Sequence, residues 1–461
     1  MKGRELANLG LVKAQIGEAM KLCKQARDAG WSKQQMREAV VKIVADPAAH
    51  GDMEIFGPLA ELMREDPFEE RAEPAPWRMW GEGLDEKAIA QMEHACRLPV
   101  ARRGALMPDA HLGYGLPIGG VLATKGAVIP YAVGVDIACR MRLSVLDIPE
   151  GALEDARERQ RLKDVLQQET AFGVGASFAK PREHEVLEQD WNITEVTQRV
   201  FGKGRAQLGS SGSGNHFVEY GVLTLEQADL GLAPGSYLAI LSHSGSRGAG
   251  AAVATHYSKL ARQLHPELPR ELKHLAWLDM QAEAGQEYWA AMSLMGDYAA
   301  ANHEVIHREM VRALGCDVLA MVENHHNFCF KELHDAEELL VHRKGATPAG
   351  EGVLGVIPGS MATPAYVVRG RGEESSLRSA SHGAGRVMSR RKAKQTVRWA
   401  QVHEQLAERG VELLSAGLDE APEVYKDINQ VMAAQSDLVD IVARFMPKIV
   451  KMAPAGERPE D

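Results

Sequence analysis

The fold is decided by the glycine-dense stretch at residues 111–136, HLGYGLPIGGVLATKGAVIPYAVGVD, in which six glycines separate short apolar runs. β-branched runs such as VLATKGAVI suit buried strands, and glycines between them let the backbone turn or approach a ligand closely. Four more glycine clusters with polar side chains follow, at 208–220, 241–251, 350–361 and 379–390. The pattern predicts a sheet-containing domain whose loops converge on one site.

Helical periodicity surrounds this region. Residues 280–314 form a long helical pattern closed by Gly315. Residues 1–66 also indicate helices, with Ser32 as the cap of one of them and a further short helix at 55–65, before a proline-rich linker at 67–77. We therefore expect an α+β protein, with central β-sheets flanked by helices in a catalytic domain at 76–461. A small all-helical domain of unknown role would occupy residues 1–75.

The overall composition sets limits on function. The 461 residues carry 53 basic and 63 acidic side chains, a net charge of −10, which excludes a cationic nucleic-acid coat but allows a local basic face. Five scattered cysteines argue against a disulfide framework. There is no uncharged apolar run of membrane length and no apolar signal core at the N-terminus. We expect a soluble cytoplasmic protein without a membrane partner.

Potential metal ligands recur at the edges of the glycine-rich loops. Asp136 and Cys139 share a D-x-x-C spacing, His216 and His243 each lie beside a glycine-rich turn, and an HHN triplet occupies 325–327. A thiolate with a carboxylate and imidazoles suits Mn, Zn or Fe better than Mg or Ca. Each residue alone is more often a core cysteine or a satisfied histidine. Their repetition at loop edges favours one site assembled from distant segments.

His382 lies in a different setting, the segment SASHGAGRVMSR. Gly383 and Gly385 leave room around the imidazole for a large phosphate, and Arg386 is placed to neutralise phosphate charge. Histidine can act as a covalent nucleophile as well as a base. The alternative is a glycine-rich hairpin with an incidental histidine.

The stretch 369–398 reverses the charge of the chain. It holds nine basic residues against two acidic ones. Such a local reversal is expected of a face that binds polyphosphate or nucleic acid. The alternative, above all for SRRKAKQTVR, is the solvated surface of a helix.

A competing motif lies in the long helix. His303, Glu304 and His307 match H-E-x-x-H, the zinc-protease signature, and Glu323 could be a third ligand. A protease would leave the glycine loops and the basic stretch unexplained. The alternative is a surface helix face with two polar histidines.

Eight segments in order resemble the RtcB family of RNA-splicing ligases. The resemblance runs from about Pro99 to Arg391 and rests on the following motifs: MPDAHLGYGLPIGG, VGVDIACRM, GSGNHFVE, HSGSRG, HHN, VHRKGATPA, IPGSM and SHGAGRVMSR. It implies an RtcB-like catalytic domain that joins RNA 2′,3′-cyclic phosphate or 3′-phosphate ends to 5′-hydroxyl ends. It also implies GTP, Mn²⁺ (two per active site) and an activating helper protein.

The same resemblance implies roles for individual residues. His382 corresponds to the histidine that becomes guanylylated. The ligands of the two manganese ions, with Cys139 bridging, would be Asp136, Cys139, His216, His243 and His326. The residues that hold the guanine nucleotide would be Asn215, Glu219, Asn327, Ser360, Gly383, Gly385, Arg386 and Lys451.

The chain departs from the family pattern at several points. Arg140 replaces a glycine after the metal cysteine and could narrow the RNA channel or add a phosphate contact, and Ala365 removes a possible hydrogen bond to the nucleotide. With the N-terminal extension, these departures indicate a divergent paralogue. Two alternatives to a ligase are a metal-dependent RNA-end hydrolase that has lost ligation, and a non-catalytic module that binds RNA ends or nucleotides.

Overall fold

The computed structural model describes residues 1–11, 13–63 and 68–457. They divide into two compact units, one built from residues 1–69 with 266–269 and the other from the rest of the chain. The end of the predicted third helix and the start of the predicted linker, at 64–67, lie outside the described residues. Within the described ranges, no helix combines the length and the apolar character that crossing a bilayer requires.

The first unit is helical. Its helices are α1 (Gly3–Ala7), α2 (Lys13–Asp28), α3 (Lys33–Ala45) and α4 (Gly57–Met63). Ser32 caps α3 as expected, because its Oγ accepts a hydrogen bond from the Gln35 amide while the Gln35 side chain accepts one from the Ser32 amide. The apolar faces of these helices enclose a core of their own around Leu22, Val40 and Phe56.

The second unit contains the remaining helices. They are α5 (Glu86–Cys96), α6 (Pro130–Val133), α7 (Ala156–Glu169), α8 (Glu195–Gln207), α9 (Arg247–Leu264), α10 (Glu283–Leu314), α11 (Arg390–Thr396), α12 (Trp399–Glu408) and α13 (Ile428–Ala433). The long predicted helix is α10, and Gly315 ends it in the left-handed conformation with φ 59°.

The strands of this unit are β1 (Trp77–Met79), β2 (Ala101–Tyr114), β3 (Leu116–Thr124), β4 (Ala127–Val128), β5 (Arg140–Leu146), β6 (Phe217–Leu225), β7 (Gly235–Ser244), β8 (Leu278–Asp279), β9 (Val318–His325), β10 (Asn327–His334), β11 (Glu337–Lys344), β12 (Ala346–Pro348), β13 (Leu354–Ile357), β14 (Ala365–Gly370), β15 (Ser379–Ser381), β16 (Glu412–Ser415) and β17 (Val439–Met452).

Two large sheets carry the second unit. One has the strand order β1-β2-β3-β11-β10, and the other has the order β13-β14-β17-β6-β7-β5-β9, with β16 paired to β17. Helix α10 packs against β5 and β7 of the larger sheet. Ile306 and Met310 of α10 share a core with Tyr220 and Ile240 on the strands. The α+β prediction is therefore confirmed.

The register of the larger sheet determines where the site lies. His243 on β7 is opposite Met141 of β5 and Phe217 of β6. Arg140, the first residue of β5, is opposite His325 at the end of β9. Strand ends that carry Cys139, His216 and the histidine after β9 therefore lie side by side.

Candidate metal and nucleotide site

The five predicted metal ligands come together at this end of the larger sheet. Asp136 and Cys139 lie in the loop before β5, His216 immediately precedes β6, His243 is on β7 and His326 joins β9 to β10. All five are buried.

Each donor atom lies within a few ångströms of at least one other donor atom of the set. Cys139 Sγ is 3.3 Å from His216 Nε2 and 3.1 Å from His243 Nε2. His243 Nε2 is 3.2 Å from His326 Nε2, and His216 Nε2 is 3.1 Å from Asp136 Oδ2. Cys139 Sγ therefore lies between an Asp136–His216 pair and a His243–His326 pair.

The protonation states favour a cation over a hydrogen-bond network. Burial lowers the pKa of His243 to about 3 and that of His326 well below its usual range, so both rings are neutral. His243 Nδ1 donates to the Asn215 carbonyl at 3.0 Å, which leaves a lone pair on Nε2 facing Cys139 and His326. A thiol carries one hydrogen and cannot satisfy several acceptors. These sulfur, nitrogen and carboxylate donors fit divalent cations such as Mn²⁺ or Zn²⁺.

Asp136 is held as a carboxylate. Burial alone would raise its pKa, but His216 and Arg247 outweigh burial and hold the pKa below the usual range. The Ser246 amide donates to Asp136 Oδ1 at 3.0 Å, so Oδ2 faces His216. The charge of a bound cation would be balanced by this side chain and by the Cys139 thiolate.

His382 stands directly beside this cluster. Its ring centroid is 5.0 Å from that of His326. Its Nδ1 lies 2.6 Å from Oδ2 of Asp109, a fully buried side chain on β2. Burial would raise the pKa of Asp109, but His382 and Lys426 outweigh it and hold that pKa below the usual range. Because the carboxylate accepts the Nδ1 proton, the lone pair of His382 is on Nε2.

The loop after His382 fits closely around Asp109. The amides of His382 and Gly383 both point to Asp109 Oδ2, at 3.2 and 3.3 Å. Gly385 has φ +73°, and a Cβ there would overlap the Asp109 carbonyl oxygen. Only glycine combines this backbone conformation with this approach.

A cleft next to His382 collects most of the predicted nucleotide residues. It encloses about 840 Å³, part of it open to solvent. The predicted residues that line it are Asn215, Glu219, Ser360, Gly383, Gly385 and Arg386. Ala365 lines it too, but the Thr363 hydroxyl, 2.9 Å from Ser360 Oγ, supplies a polar group in the same loop. The alanine therefore does not leave this wall without hydroxyls.

Two predicted nucleotide residues lie elsewhere. Asn327 holds the metal loop, because its amide donates to the Asp136 carbonyl at 3.3 Å and accepts from the Gly345 amide at 2.8 Å. Lys451 caps α7, since its ammonium donates to the Thr170 carbonyl at 2.9 Å and to the Gln167 carbonyl at 3.1 Å. Its strand neighbours Val450 and Met452 line the cleft instead.

Several basic side chains of the stretch 369–398 form ion pairs with acidic residues, so its positive charge is lower than the sequence alone indicates. Arg386, which lines the cleft, donates to the Asp419 carbonyl at 2.7 Å and lies 3.4 Å from Glu420. Arg390 pairs with Asp419 and Glu420, and Lys394 lies 3.4 Å from Asp419. Two buried acids from a later segment therefore offset much of the charge that faces the site.

The Arg140 expectation is corrected by the structure. Arg140 is buried and pairs with Glu323 across β5 and β9 at 2.9 Å, and Arg142 reaches the same carboxylate at 3.2 Å. It does not line the cleft. Arg140 therefore neither narrows a channel nor offers a phosphate contact in this arrangement, and Glu323 is not a metal ligand beside the histidines of α10.

The H-E-x-x-H motif forms a hydrogen-bond chain in the core, not a surface face as its alternative interpretation had it. His303 Nε2 donates to the Ser244 carbonyl at 3.0 Å, so its Nδ1 accepts from Ser242 Oγ at 2.7 Å. Ser242 then accepts from His307 Nε2 at 2.8 Å, and His307 Nδ1 accepts from Ser144 Oγ at 2.8 Å. All four ring nitrogens are used, so none is left for zinc.

Sequence reasoning missed residues that matter here. Asp109 lies in the quoted MPDAH segment, but no spacing rule connects it to a histidine 273 residues away. Glu420 and Tyr425 also line the cleft, and the Tyr425 hydroxyl donates to Glu420. The segment between Leu418 and Tyr425 holds three acidic residues and one tyrosine, and these form no recognisable motif.

Known RNA-splicing ligases resemble this chain over most of its length. The family model described as "tRNA-splicing ligase RtcB" matches residues 91–195 and 158–452. The RNA-splicing ligase RtcB of Escherichia coli K12 is 37% identical over 402 residues. The alignment covers 80% of this chain and 95% of the E. coli protein. The RNA-splicing ligase RtcB of Mycobacterium tuberculosis is 33% identical (77% and 98% covered), and the tRNA-splicing ligase RtcB of Thermococcus kodakarensis is 30% identical (78% and 90%).

Proposed function

The chain belongs to the RtcB family of RNA ligases, and on that premise we propose that it joins RNA 2′,3′-cyclic phosphate or 3′-phosphate ends to 5′-hydroxyl ends with GTP and Mn²⁺. The observation that carries the proposal is the position of His382. Asp109 fixes its Nδ1 proton, and its ring stands 5.0 Å from that of a histidine in the metal-type cluster.

The cluster divides into two ligand sets around one sulfur. Asp136 and His216 with Cys139 would hold one cation, and His243 and His326 with the same Sγ would hold the other. Bound cations would neutralise phosphate charge and orient it for in-line attack.

The residues of the chain can then carry out nucleotidyl transfer. The Nε2 lone pair of His382 attacks the α-phosphorus of GTP, a P–N bond forms, and the bond to the β-phosphate oxygen breaks to release pyrophosphate. The Asp109 carboxylate accepts a hydrogen bond from His382 Nδ1, so the proton stays on Nδ1. The carboxylate also stabilises the positive charge that develops on the ring, which makes Asp109 a positioning residue. Guanine would lie in the cleft against Glu219 and the Ser360 loop.

The later steps consume the adduct. An oxygen of the RNA 3′-phosphate attacks the His382-bound phosphorus, and the P–N bond breaks as GMP is transferred. The 5′-hydroxyl of the second end then attacks the activated 3′-phosphate, a phosphodiester forms and GMP leaves. A 2′,3′-cyclic end must first be opened by water. This order requires only one covalent residue on the protein.

The test is adduct formation with α-labelled GTP and Mn²⁺, followed by denaturing gel analysis. We expect an acid-labile label on the wild type and none on His382→Ala. Asp109→Asn should slow labelling roughly 100-fold or more, because the tautomer of the nucleophile is no longer fixed. His403→Ala, which removes an exposed histidine of α12, is the matched control and should label normally.

Two results would contradict the proposal. One is the absence of label on the wild type with Mn²⁺ present, and the other is label that survives in His382→Ala. RNA with a 2′,3′-cyclic phosphate and a 5′-hydroxyl separates a ligase from the hydrolase alternative, since only the ligase yields joined or circular product. With Arg140 buried in an ion pair, the structure offers no specific argument for lost ligation.

A further inference from the structure

An aromatic cluster lies at the tip of the β2–β3 hairpin. Tyr114, Tyr131 and His274 have ring centroids 6.4 Å (Tyr114–Tyr131), 5.7 Å (Tyr114–His274) and 4.6 Å (Tyr131–His274) apart. Tyr114 is 67% exposed, the largest value among the exposed large hydrophobic side chains of the described residues. We call these three residues the Tyr114 platform. The core does not need a ring as exposed as that of Tyr114.

The platform is directly connected to the nucleophile. The Lys344 ammonium donates to the Tyr114 carbonyl at 2.6 Å and lies 5.0 Å from the Tyr131 ring centroid. The next residue, Gly345, is so close to His382 that a Cβ on it would lie 3.1 Å from His382 Cε1. Two consecutive residues, Lys344 and Gly345, therefore link the platform to His382.

The hairpin tip is held in place. Gly115 has φ +71°, and a Cβ there would lie 3.0 Å from the His274 carbonyl oxygen, so the tip packs directly on the His274 backbone. Burial, together with Arg262 and Lys344, holds the pKa of His274 below its usual range, so this ring is neutral near pH 7. The three rings form a preorganised apolar surface rather than a mobile loop.

Two exposed cationic side chains lie near the rings. Lys273 precedes His274 in the chain, and Arg262 is close enough to help lower the pKa of that ring. Lys344 lies 5.0 Å from the Tyr131 ring centroid but is buried, and burial lowers its pKa to about 7. Exposed aromatic rings bordered by cations are how proteins bind single-stranded nucleic acid, with bases on the rings and phosphates near the cations.

We propose that the Tyr114 platform stacks the terminal base of a single-stranded RNA end that is presented to His382. The inference rests on the proposed RNA ligation and names the surface that positions the substrate for it. Tyr114 provides the exposed face, and Tyr131 and His274 support it from behind. Because every base has a π-face, the platform positions ends of any sequence.

The experiment measures RNA affinity of the full-length, Mn²⁺-loaded protein without GTP. The probe is an internally labelled single-stranded RNA of about ten nucleotides with a 5′-hydroxyl and a 3′-phosphate, read by fluorescence anisotropy. Loss of one base–aromatic stack should weaken binding by Tyr114→Ala roughly 10-fold. Tyr114→Phe keeps the ring and should bind within about twofold. Tyr237→Ala, at the far end of β7, is the matched control.

RNA that lacks its 5′-terminal or its 3′-terminal base identifies the stacked nucleotide. For one of these probes, wild type and Tyr114→Ala should bind equally, since the partner of the ring is gone. Unchanged affinity of Tyr114→Ala for intact RNA would overturn the proposal, as would equal losses for both abasic probes. GTP labelling of His382 needs no RNA and should be normal in Tyr114→Ala. A wild type that is not labelled by GTP would therefore contradict the proposed ligation. A Tyr114→Ala variant that binds RNA normally would contradict only the platform.

Discussion

Glu219 shows how one buried residue can make nucleotide recognition depend on pH. It lines the cleft from β6 and is 4% exposed. Burial raises the pKa of its carboxyl well above the usual range, so the empty site favours the neutral acid. The N1 and N2 groups of guanine are both donors, and a carboxylate can accept from both.

GTP affinity should therefore increase with pH. As the pH rises through the raised pKa, Glu219 loses its proton and can accept both guanine hydrogens. Affinity should climb over the pH range that spans this raised pKa and be steepest at the pKa itself. Glu219→Gln should remove this slope and weaken binding roughly 10-fold, as expected for a charged hydrogen bond.

Binding of a fluorescent GTP analogue across this pH range provides the measurement. Glu338→Gln, an exposed glutamate on β11, is the matched control and should keep the wild-type profile. A wild-type affinity that falls as the pH rises would refute the role of Glu219 as a carboxylate acceptor.

At the residue scale, the sequence could identify side chains with suitable chemistry for the site, but not the distant side chains that contact them. Cys139, His216 and His243 could be selected because their side-chain chemistry and loop positions are local properties. Asp109 could not, because its role depends on a contact made across 273 residues. Lys451 is a predicted nucleotide residue, but its side chain faces the end of α7. Successive side chains of β17 alternate between the cleft and α7, so a shift of one residue decides which of them line the cleft.

At the scale of elements, α10 connects the core to the proposed metal site. His303 and His307 bond to serines on β5 and β7, and His243 projects from β7 between two of those serines. The neutral hydrogen-bond chain thus fixes the strand that carries His243, a proposed metal ligand. The H-E-x-x-H match misleads because the sequence cannot tell whether a helical histidine faces solvent, a cation or a serine.

Removing one link of this chain should destabilise the protein. His307→Ala leaves the Ser144 and Ser242 hydroxyls without their partner in the core, which we expect to cost about 3 kcal/mol of unfolding free energy. Urea unfolding followed by circular dichroism gives the value.

Glu304→Gln on the same helix is the control, because Glu304 is about half exposed. It should change stability by less than about 0.5 kcal/mol and leave the manganese content unchanged. If His307→Ala lost manganese while keeping the stability of the wild type, the motif would be a metal site after all.

The elements themselves were largely predictable. The apolar runs at 121–129, 237–243 and 365–370 fall on β3 with β4, β7 and β14, and the pattern closed by Gly315 is α10. Strand order was not predictable, because β17 lies between β14 and β6, which are far apart in the chain. Long-range pairing of this kind leaves no local trace in a single sequence.

At the scale of the molecule, bound cations should stabilise the catalytic unit. The ligands come from the loop before β5, from the start of β6, from β7 and from the β9–β10 junction, so the site exists only when these strands are paired. A ligand bound only by the folded state adds about 2.7 kcal/mol at a hundred times its dissociation constant. The unfolding temperature of chelator-treated protein should rise by several degrees on adding Mn²⁺.

Scanning calorimetry over a series of Mn²⁺ concentrations tests this. Cys139→Ala should lose the shift, because Cys139 Sγ belongs to both proposed ligand sets. Cys316→Ala, a partly buried cysteine that is not among the metal-type ligands, should retain it. An unfolding temperature that does not depend on Mn²⁺ in the wild type would contradict the two-cation proposal.

The contact between Asp109 and His382 has a consequence for the order in which the proposed site is completed during translation. The last of the five proposed cation ligands, His326, precedes His382 by 56 residues in the chain. Asp109 is synthesised earlier still. A nascent chain that includes His326 but not yet His382 could hold the proposed cations but would lack the nucleophile. On the proposed mechanism, a chain that ends before His382 has no nucleophile for guanylylation, whatever metal it holds.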